Sequence, residues 1–598
     1  MCGFLGSVTV KPVDISVIKN CNKRIECRGP DEKIILDNKY FGKSKLFHNL
    51  AFNRLSIIDL SKNASQPMYS DEFNSIIMFN GEIFNHRELR AKLEKEKVKF
   101  KTSHSDTETL LNGLSKYGID FLDLIVGQFS IYFNNIDKNE YFLIRDRTGQ
   151  KPLYYSLNTN NFYFGSDLLS VKNISGSNVV NNEQIINYLN FGTSISPNTY
   201  FQNIFSVEPG EVVKITTENN ALKVFKHKYW NIEDFQDEKV FNFEEFIDLF
   251  EDSVYKRLES DVPVSIFLSG GLDSTAVIKA AKKFKPELST FSMITDSKNY
   301  NESEFMNQVV KKYETNHKFE MIDKNISFSE IKSIISKLDD VIYDPSIIPT
   351  YILSNRISKN FKVALSGDGG DELLSGYLHY INYHRNVKIP ESISNYLYNL
   401  YSPYLGTGNN ILKFSNNWKT AYSSFYSDKK LLSILKIKNF DFFEDIYLSD
   451  KEPNWKSLMV TDLRFFLNEL MLKKIDKSSM LNSLEVRSPF LDHRLFQYII
   501  SHQNYEMNKK FSSKKIIKDY LSEDFGESFL KRKKMGFSID ISSIIKLNFE
   551  EVVSTILDSR LDSYIDLSSV QNIFTYKSRI NSIRLWKIYC LAVFLEKD

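Results

Sequence analysis

SIFLSGGLDSTAVIKAA, residues 265–281, decides the reading of this chain. An apolar strand, Val262 to Leu268, enters Ser269-Gly270-Gly271-Leu272-Asp273-Ser274, and a helix from Ser274 to Phe284 leaves it. Such a junction is a phosphate cradle by construction. Glycines let the backbone approach an anion, successive N–H groups point into the loop, and the helix N-terminus adds roughly half a positive charge. The GxxxxGK[ST] pattern occurs nowhere in the chain, so a nucleotide held here is expected to break between its α and β phosphates, releasing pyrophosphate. A second strand-like run, Phe361 to Leu365, ends in Ser366-Gly367-Asp368-Gly369-Gly370-Asp371-Glu372, again glycines beside carboxylates. Magnesium prefers one or two carboxylates plus phosphate oxygens, and Asp273 and Asp371 are the expected ligands.

Outward from this loop the grammar changes with direction. Beyond residue 240, apolar strands alternate with long helices, the pattern of an α/β domain built on a parallel sheet. Before residue 215, short alternating or apolar runs dominate: Phe4 to Val10, Lys33 to Leu36, Ser75 to Phe79, Gln128 to Phe133, Tyr141 to Ile144 and Asn161 to Gly165. Turns such as Arg28-Gly29-Pro30-Asp31 and Asn80-Gly81 bound them, and helical periodicity appears at 87–97 and 107–117. An α+β or layered β architecture is implied. The expected organisation is therefore 1–215, a charge-mixed linker at 216–240, and 241–598. The stretch 377–456, rich in Tyr, Asn and Ser, matches no motif and reads as a helical elaboration of the second domain.

Composition narrows the classes. Of 598 residues, 42 % are hydrophobic and 25 % charged, ordinary globular values that exclude a disordered or fibrous protein. The 77 Lys+Arg against 75 Asp+Glu leave a net charge of +2 with no basic concentration, so nucleic acid is not an expected partner. No run approaches 18 apolar residues and the N-terminus lacks a leader pattern, so no membrane association and a cytoplasmic location are expected. Cys2, Cys21, Cys27 and Cys590 have no CxxC spacing, which points to neither zinc nor a disulfide framework. The aromatic content, 14 %, reads as core packing.

Trimming of Met1 is expected before so small a residue, and it leaves Cys2 at a free N-terminus. Its own α-amino group, with an unperturbed pKa of about 7.7–8.0, can take the thiol proton directly or through one water. In MFNGEIFNHRELR, Asn80-Gly81 follows a strand and could offer a side-chain amide and a backbone N–H to an oxyanion, although Asn-Gly is also a common hairpin signal. Arg54, and Asp106 at an expected N-cap, supply the cation and anion that a free amino acid such as glutamine needs for its carboxylate and ammonium.

Cys2-Gly3-Phe4, Arg28-Gly29-Pro30, Arg54-Leu55-Ser56, Asn80-Gly81-Glu82 and Ser105-Asp106 stand in an order and spacing that resemble the class II glutamine amidotransferases. With KKIDKSSMLNSLEVRSPFLDHRL and SFLKRKKMGF the resemblance extends, from residue 2 to about 540, to the glutamine-hydrolysing asparagine synthetases. It implies an N-terminal-nucleophile αββα sandwich followed by an α/β parallel-sheet ATP-pyrophosphatase domain. In the first, Cys2 attacks the glutamine amide, Asn80 and Gly81 hold the oxyanion, and Arg54, Glu82 and Asp106 hold the amino-acid end. In the second, Leu268, Ser269, Gly270, Gly271, Asp273, Ser274, Met293, Ser366 and Gly367 contact ATP, Lys534 neutralises the α-phosphate, and magnesium sits on Asp273 and Asp371. Asp368 takes a catalytic position where some close relatives carry glutamate. Cys27 departs from the histidine that often precedes Arg-Gly-Pro.

Implied substrates are glutamine, ATP and aspartate, with ammonia passing internally to a β-aspartyl adenylate and a homodimer left open. Two rivals keep the motifs: amidation of another carboxylate, such as a sugar uronic acid, and a non-catalytic glutamine or nucleotide sensor. The ATP motifs do not read the acceptor.

Overall fold

The computed structural model describes residues 2–42, 46–218, 221–235, 239–294, 302–321, 326–377, 380, 390, 392–393, 422, 426–436, 455–502, 513–532, 539–573 and 579–596. Among the described residues twelve strands build the first half: β1 (Gly3–Thr9), β2 (Glu32–Lys39), β3 (Phe47–Arg54), β4 (Met68–Ser70), β5 (Ser75–Ile83), β6 (Gly127–Asn135), β7 (Glu140–Arg145), β8 (Tyr154–Leu157), β9 (Phe162–Gly165), β10 (Ile204–Ser206), β11 (Glu211–Glu218) and β12 (Ala221–Lys228). They form two six-stranded antiparallel sheets, ordered β10-β8-β9-β1-β3-β2 and β12-β11-β7-β6-β5-β4.

Residues 76–79 of β5 explain the layering. Ile76 and Met78 point into a core shared with Phe4, Leu50 and Phe52 of the other sheet. Ile77 and Phe79 point the other way, onto Leu89 and Leu93 of the helix His86–Lys95 and Leu110 and Leu111 of the helix Asp106–Tyr117. A sheet covered on both faces needs apolar residues at successive positions, because side chains alternate between faces. On the far side, helices Ile15–Arg24 and Leu168–Ser175 pack on Leu5 and Ala51 through Ile18, Cys21 and Ile174. The stack is helix, sheet, sheet, helix, as the sequence led one to expect.

Two local readings change. Asn80-Gly81 is not a turn: both lie inside β5, where Gly81 pairs with Phe129 at φ +155°. A Cβ on Gly81 would overlap the Gln128 carbonyl oxygen, so close approach of β6 and not a bend demands the glycine. The charge-mixed stretch after 215 is not a free linker, because β11 and β12 pair from Glu211↔Lys228 to Glu218↔Ala221 and complete the second sheet. Its lysines mask the signal by lining an exposed edge strand, a usual guard against edge pairing.

The second half carries β13 (Val264–Phe267), β14 (Ser289–Ile294), β15 (Asn316–Met321), β16 (Val363–Leu365) and β17 (Glu485–Arg487), all parallel in the order β15-β14-β13-β16-β17. Strand β13 continues to β14 on one side and has β16 on the other, so the order reverses between β13 and β16. Open parallel sheets bind ligands outside the carboxyl ends at such a switch point. Both glycine-carboxylate loops lie there. A long helical run follows, Trp455–Asp462, then a π-helical segment Leu463–Leu472, then Lys473–Met480. Most of 377–456 lies outside the described residues.

The halves share cores. Leu55, Ile57 and Ile58 pack with Phe246, Phe250, Ile266 and Leu365. Tyr188 and Leu189 of the helix Asn182–Phe191 pack with Ile331 and Trp586. Among the described residues no helix is long and apolar enough to cross a membrane, and all four cysteines are free thiols. Truncating the shared core tests this union. Ile57→Ala is expected to cost about 2–5 kcal/mol and to lower the melting of both halves in one calorimetric transition.

Candidate active sites and the buried seam between them

Cys2 is buried where β1 begins, and register Gly3↔Asn53 sets Arg54 and Leu55 beside it. The Cys2 N–H donates to Asn80 Oδ1 at 3.0 Å, and Asn80 Nδ2 donates to Ser130 Oγ at 3.3 Å. Burial pushes the Cys2 thiol up. The positive amino terminus, the Leu55 N–H and the Arg54 guanidinium pull it back toward the thiolate. The Arg54 guanidinium is itself oriented, donating to Ser61 O at 2.9 Å and to Asp59 O. Glu82, two residues beyond Asn80, is buried near Asp106. Ser105 and not Asp106 caps the helix Asp106–Tyr117. Asp106 takes the first helical position, its Oδ2 accepting from Ile83 N at 3.2 Å and its Oδ1 from Thr107 N at 2.7 Å. The structure thus gathers Cys2, Arg54, Asn80, Gly81, Glu82 and Asp106: a thiol, a guanidinium, a side-chain amide, a glycine and two carboxyls around one buried place.

At the sheet switch point, Gly270 adopts φ +75° and Gly271 caps the helix Leu272–Phe284. Serines brace the loop: Ser269 N donates to Ser274 Oγ at 3.3 Å and Gly271 N to Ser269 Oγ at 3.2 Å. The second loop packs directly against the first. A Cβ on Gly367 would lie 2.8 Å from Ser274 N, and one on Gly370 2.7 Å from Asp273 Cγ. Glycine is what lets the two loops share one cleft. Ser366 N donates to Arg487 O at 2.9 Å, and Ser366 Oγ lies 2.8 Å from Ser488 Oγ. Leu268 and Met293 are both core residues at the ends of adjacent strands, and the Leu268 N–H donates to Phe291 O at 2.8 Å. Asp368 is half-buried between glycines at the loop tip.

Asp273 and Asp371 converge on one cation, the Lys514 ammonium, which touches Asp273 Oδ2 and lies 2.7 Å from Asp371 Oδ1. Against the cost of burial, the two carboxylates raise the Lys514 pKa. Hard carboxylates focused on a point beside a phosphate cradle fit magnesium, although among the described residues no three candidate ligands cluster. Lys534 lies outside the described residues; Arg532, two positions earlier, donates to Gly270 O and stacks over Phe529 at 4.1 Å.

Four residues escaped sequence reasoning. Lys514 is one, and its only sequence signal is a lysine pair before a short amphipathic helix. The others, Asp476, Glu485 and Arg487, lie in the KKIDKSSMLNSLEVRSPF stretch and reach the first half. Arg28 forks onto Asp476 at 2.8 and 3.2 Å while its Nε donates to Cys2 O at 3.2 Å. Against burial, Arg28 and Lys151 hold the Asp476 carboxyl below its usual range. Arg487 pairs with Glu82 at 2.9 Å and with Glu485 at 2.5 Å.

These two sites on two joined folds define a class: an amidotransferase-like sandwich fused to a nucleotide-loop α/β domain. Comparison with known proteins agrees. Residues 1–230 match the glutamine amidotransferase domain family and residues 245–596 the asparagine synthase family. The chain belongs to the asparagine synthase family. It is 28 % identical to asparagine synthetase [glutamine-hydrolyzing] 1 of Bacillus subtilis, covering 100 % of this chain and 96 % of that protein. It is 34 % identical to a putative asparagine synthetase [glutamine-hydrolyzing] 2 of Methanocaldococcus jannaschii over 64 % of this chain and 77 % of that one. Glutamine phosphoribosylpyrophosphate amidotransferase from B. subtilis, solved with ADP and GMP, is 15 % identical over 47 % of this chain and 64 % of its own, with a TM-score of 0.28; so low a score adds nothing to the fold derived above.

Gly367→Ala isolates the second site. Its methyl is expected to force the loops apart at about 1–3 kcal/mol, which weakens ATP binding about tenfold or more in calorimetric titration while leaving Cys2 alkylation by iodoacetamide unchanged.

Proposed function

We propose that this chain is a glutamine-dependent asparagine synthetase, hydrolysing glutamine at Cys2 and amidating a carboxylate that ATP has adenylated. The single observation that carries the reading is the co-existence, in one chain and across a buried seam, of the Cys2–Asn80–Arg54 cluster and the paired glycine-carboxylate loops.

With Met1 removed, the Cys2 amine accepts the thiol proton, and the thiolate adds to the glutamine amide carbon. The oxyanion is held by the Asn80 side-chain amide and the Gly81 N–H, where one donor typically contributes ~100- to 1000-fold in rate. Arg54 takes the substrate carboxylate, and Glu82 with Asp106 takes its ammonium. Ammonia leaves, and water then hydrolyses the thioester. The buried contacts Arg28–Asp476 and Glu82–Arg487 join this half to the synthetase half, where the Ser269–Ser274 cradle takes the phosphates and Lys534 the charge on the α-phosphate. Asp273 and Asp371 would hold magnesium, which supplies charge neutralisation to departing pyrophosphate. Lys514, released from the two carboxylates, is then placed to face phosphate oxygens. Aspartate is the proposed acceptor, in line with the names of the relatives, and asparagine, glutamate, AMP and pyrophosphate are the products.

Mass spectrometry of products from glutamine, ATP, magnesium and aspartate tests this. The native chain is expected to yield asparagine and AMP. Cys2→Ala is expected to lose glutamine-driven synthesis, by about 1000-fold or more, and to keep synthesis from added ammonia. Glutamine hydrolysis with no aspartate-dependent pyrophosphate would remove aspartate as acceptor and favour a sugar acid; no turnover of either substrate would favour a sensor.

A further inference from the structure

Glu82 is only 4 % exposed, and its two carboxylate oxygens have different fates. Oε2 accepts from Arg487 Nη2 at 2.9 Å, whereas Oε1 accepts a hydrogen bond from no described residue. Beside it stands a second carboxyl, Asp106, in hydrogen-bonding reach of Glu82, and two buried carboxyls brought together in this way form a place that a cation would stabilise. Arg487 comes from the other half of the chain, and its Nε and Nη1 donors are engaged as well. Nε meets Glu485 Oε1 at 2.5 Å, and Nη1 meets the carbonyl oxygens of Arg257 at 3.0 Å and Glu259 at 2.6 Å. The guanidinium is therefore fixed by the synthetase half, and Glu82 is held by it. Burial and the Asp106 carboxylate push Glu82 toward its protonated form, and Arg487 opposes them.

We propose that Arg487 is a positioning residue of the glutamine reaction: from strand β17 it fixes one oxygen of Glu82 so that the other is presented, as an anion, to the substrate α-ammonium. The inference rests on the glutaminase half of the reading above. It makes the glutamine pocket incomplete without the synthetase half, because no residue of the first half is paired with Glu82 Oε2 among the described residues.

The test uses the full chain and separates recognition of the amino-acid end from reactivity of the thiol. Arg487→Lys and Arg487→Gln are compared with the native chain for the KM of glutamine hydrolysis. Alkylation of Cys2 is followed with 6-diazo-5-oxo-L-norleucine, which carries the α-ammonium, and with iodoacetamide, which does not. Arg487→Gln is expected to raise KM and the half-saturating analogue concentration about tenfold or more, and Arg487→Lys to raise them less. Iodoacetamide should react within about twofold of the native rate. In a Glu82→Gln background, Arg487→Lys is expected to add nothing, since the two act as one unit. An unchanged KM in Arg487→Lys, or iodoacetamide reactivity that falls in step with the analogue, overturns the inference while leaving the functional reading standing. A native chain that neither hydrolyses glutamine nor reacts with the analogue overturns both.

Discussion

Arg28 and Asp476, 448 residues apart, meet in a two-pronged ion pair that is almost fully buried. Neither group can be left there alone: removing one partner of a buried pair costs about 3–5 kcal/mol, because the other charge stays desolvated. The contact therefore fixes the halves to each other as a condition of folding. It also reaches the chemistry directly, since Arg28 Nε donates to the carbonyl of Cys2 and Lys151 lies 3.7 Å from the same Asp476. The Cys2 backbone and the long helix of the second half are thereby joined through Arg28.

From that seam the two sites follow by short steps. Strand β17 has Arg487 on Glu82 at one side and, through its carbonyl and Ser488, holds Ser366 of the acidic loop at the other. Gly367 then lies against Asp273 and Ser274. Strand β17 and the loop at 366–367 thus link the proposed glutamine site to the proposed phosphate site. Ammonia is mostly protonated at neutral pH, so under the proposed function two sites joined in this way would gain by passing the free base on before solvent protonates it.

Much of this was legible in the sequence where the determinants are local. The cradle at 269–274 and the acidic loop at 366–372 read directly, because a strand, glycines, an anion-seeking loop and a helix start are consecutive. The apolar runs, such as 76–79, implied an α+β or layered β architecture, and the αββα order came from the family resemblance. Reading failed where a tertiary contact outweighs local propensity. Asn80-Gly81 looks like a turn until β6 crosses over Gly81, and the lysines of β12 look like a linker until the strand is seen at a sheet edge. Arg28, Asp476, Glu485 and Arg487 lie in stretches that carry the family resemblance, yet nothing in their spacing announces partners hundreds of residues away. Lys514 carries no periodic mark at all, yet it stands between the two carboxylates expected to bind metal.

The proposed function has ammonia pass internally from the glutamine site to the ATP site, and isotope dilution tests it most directly. Amide-15N glutamine is supplied with ATP, magnesium and aspartate in the presence of excess unlabelled ammonium, and the label in the amide of the product is read by mass spectrometry. The account predicts that the amide keeps nearly all of its label as ammonium is added. Label that falls in proportion to the unlabelled pool would mean that ammonia escapes to solvent between the sites, and would contradict it.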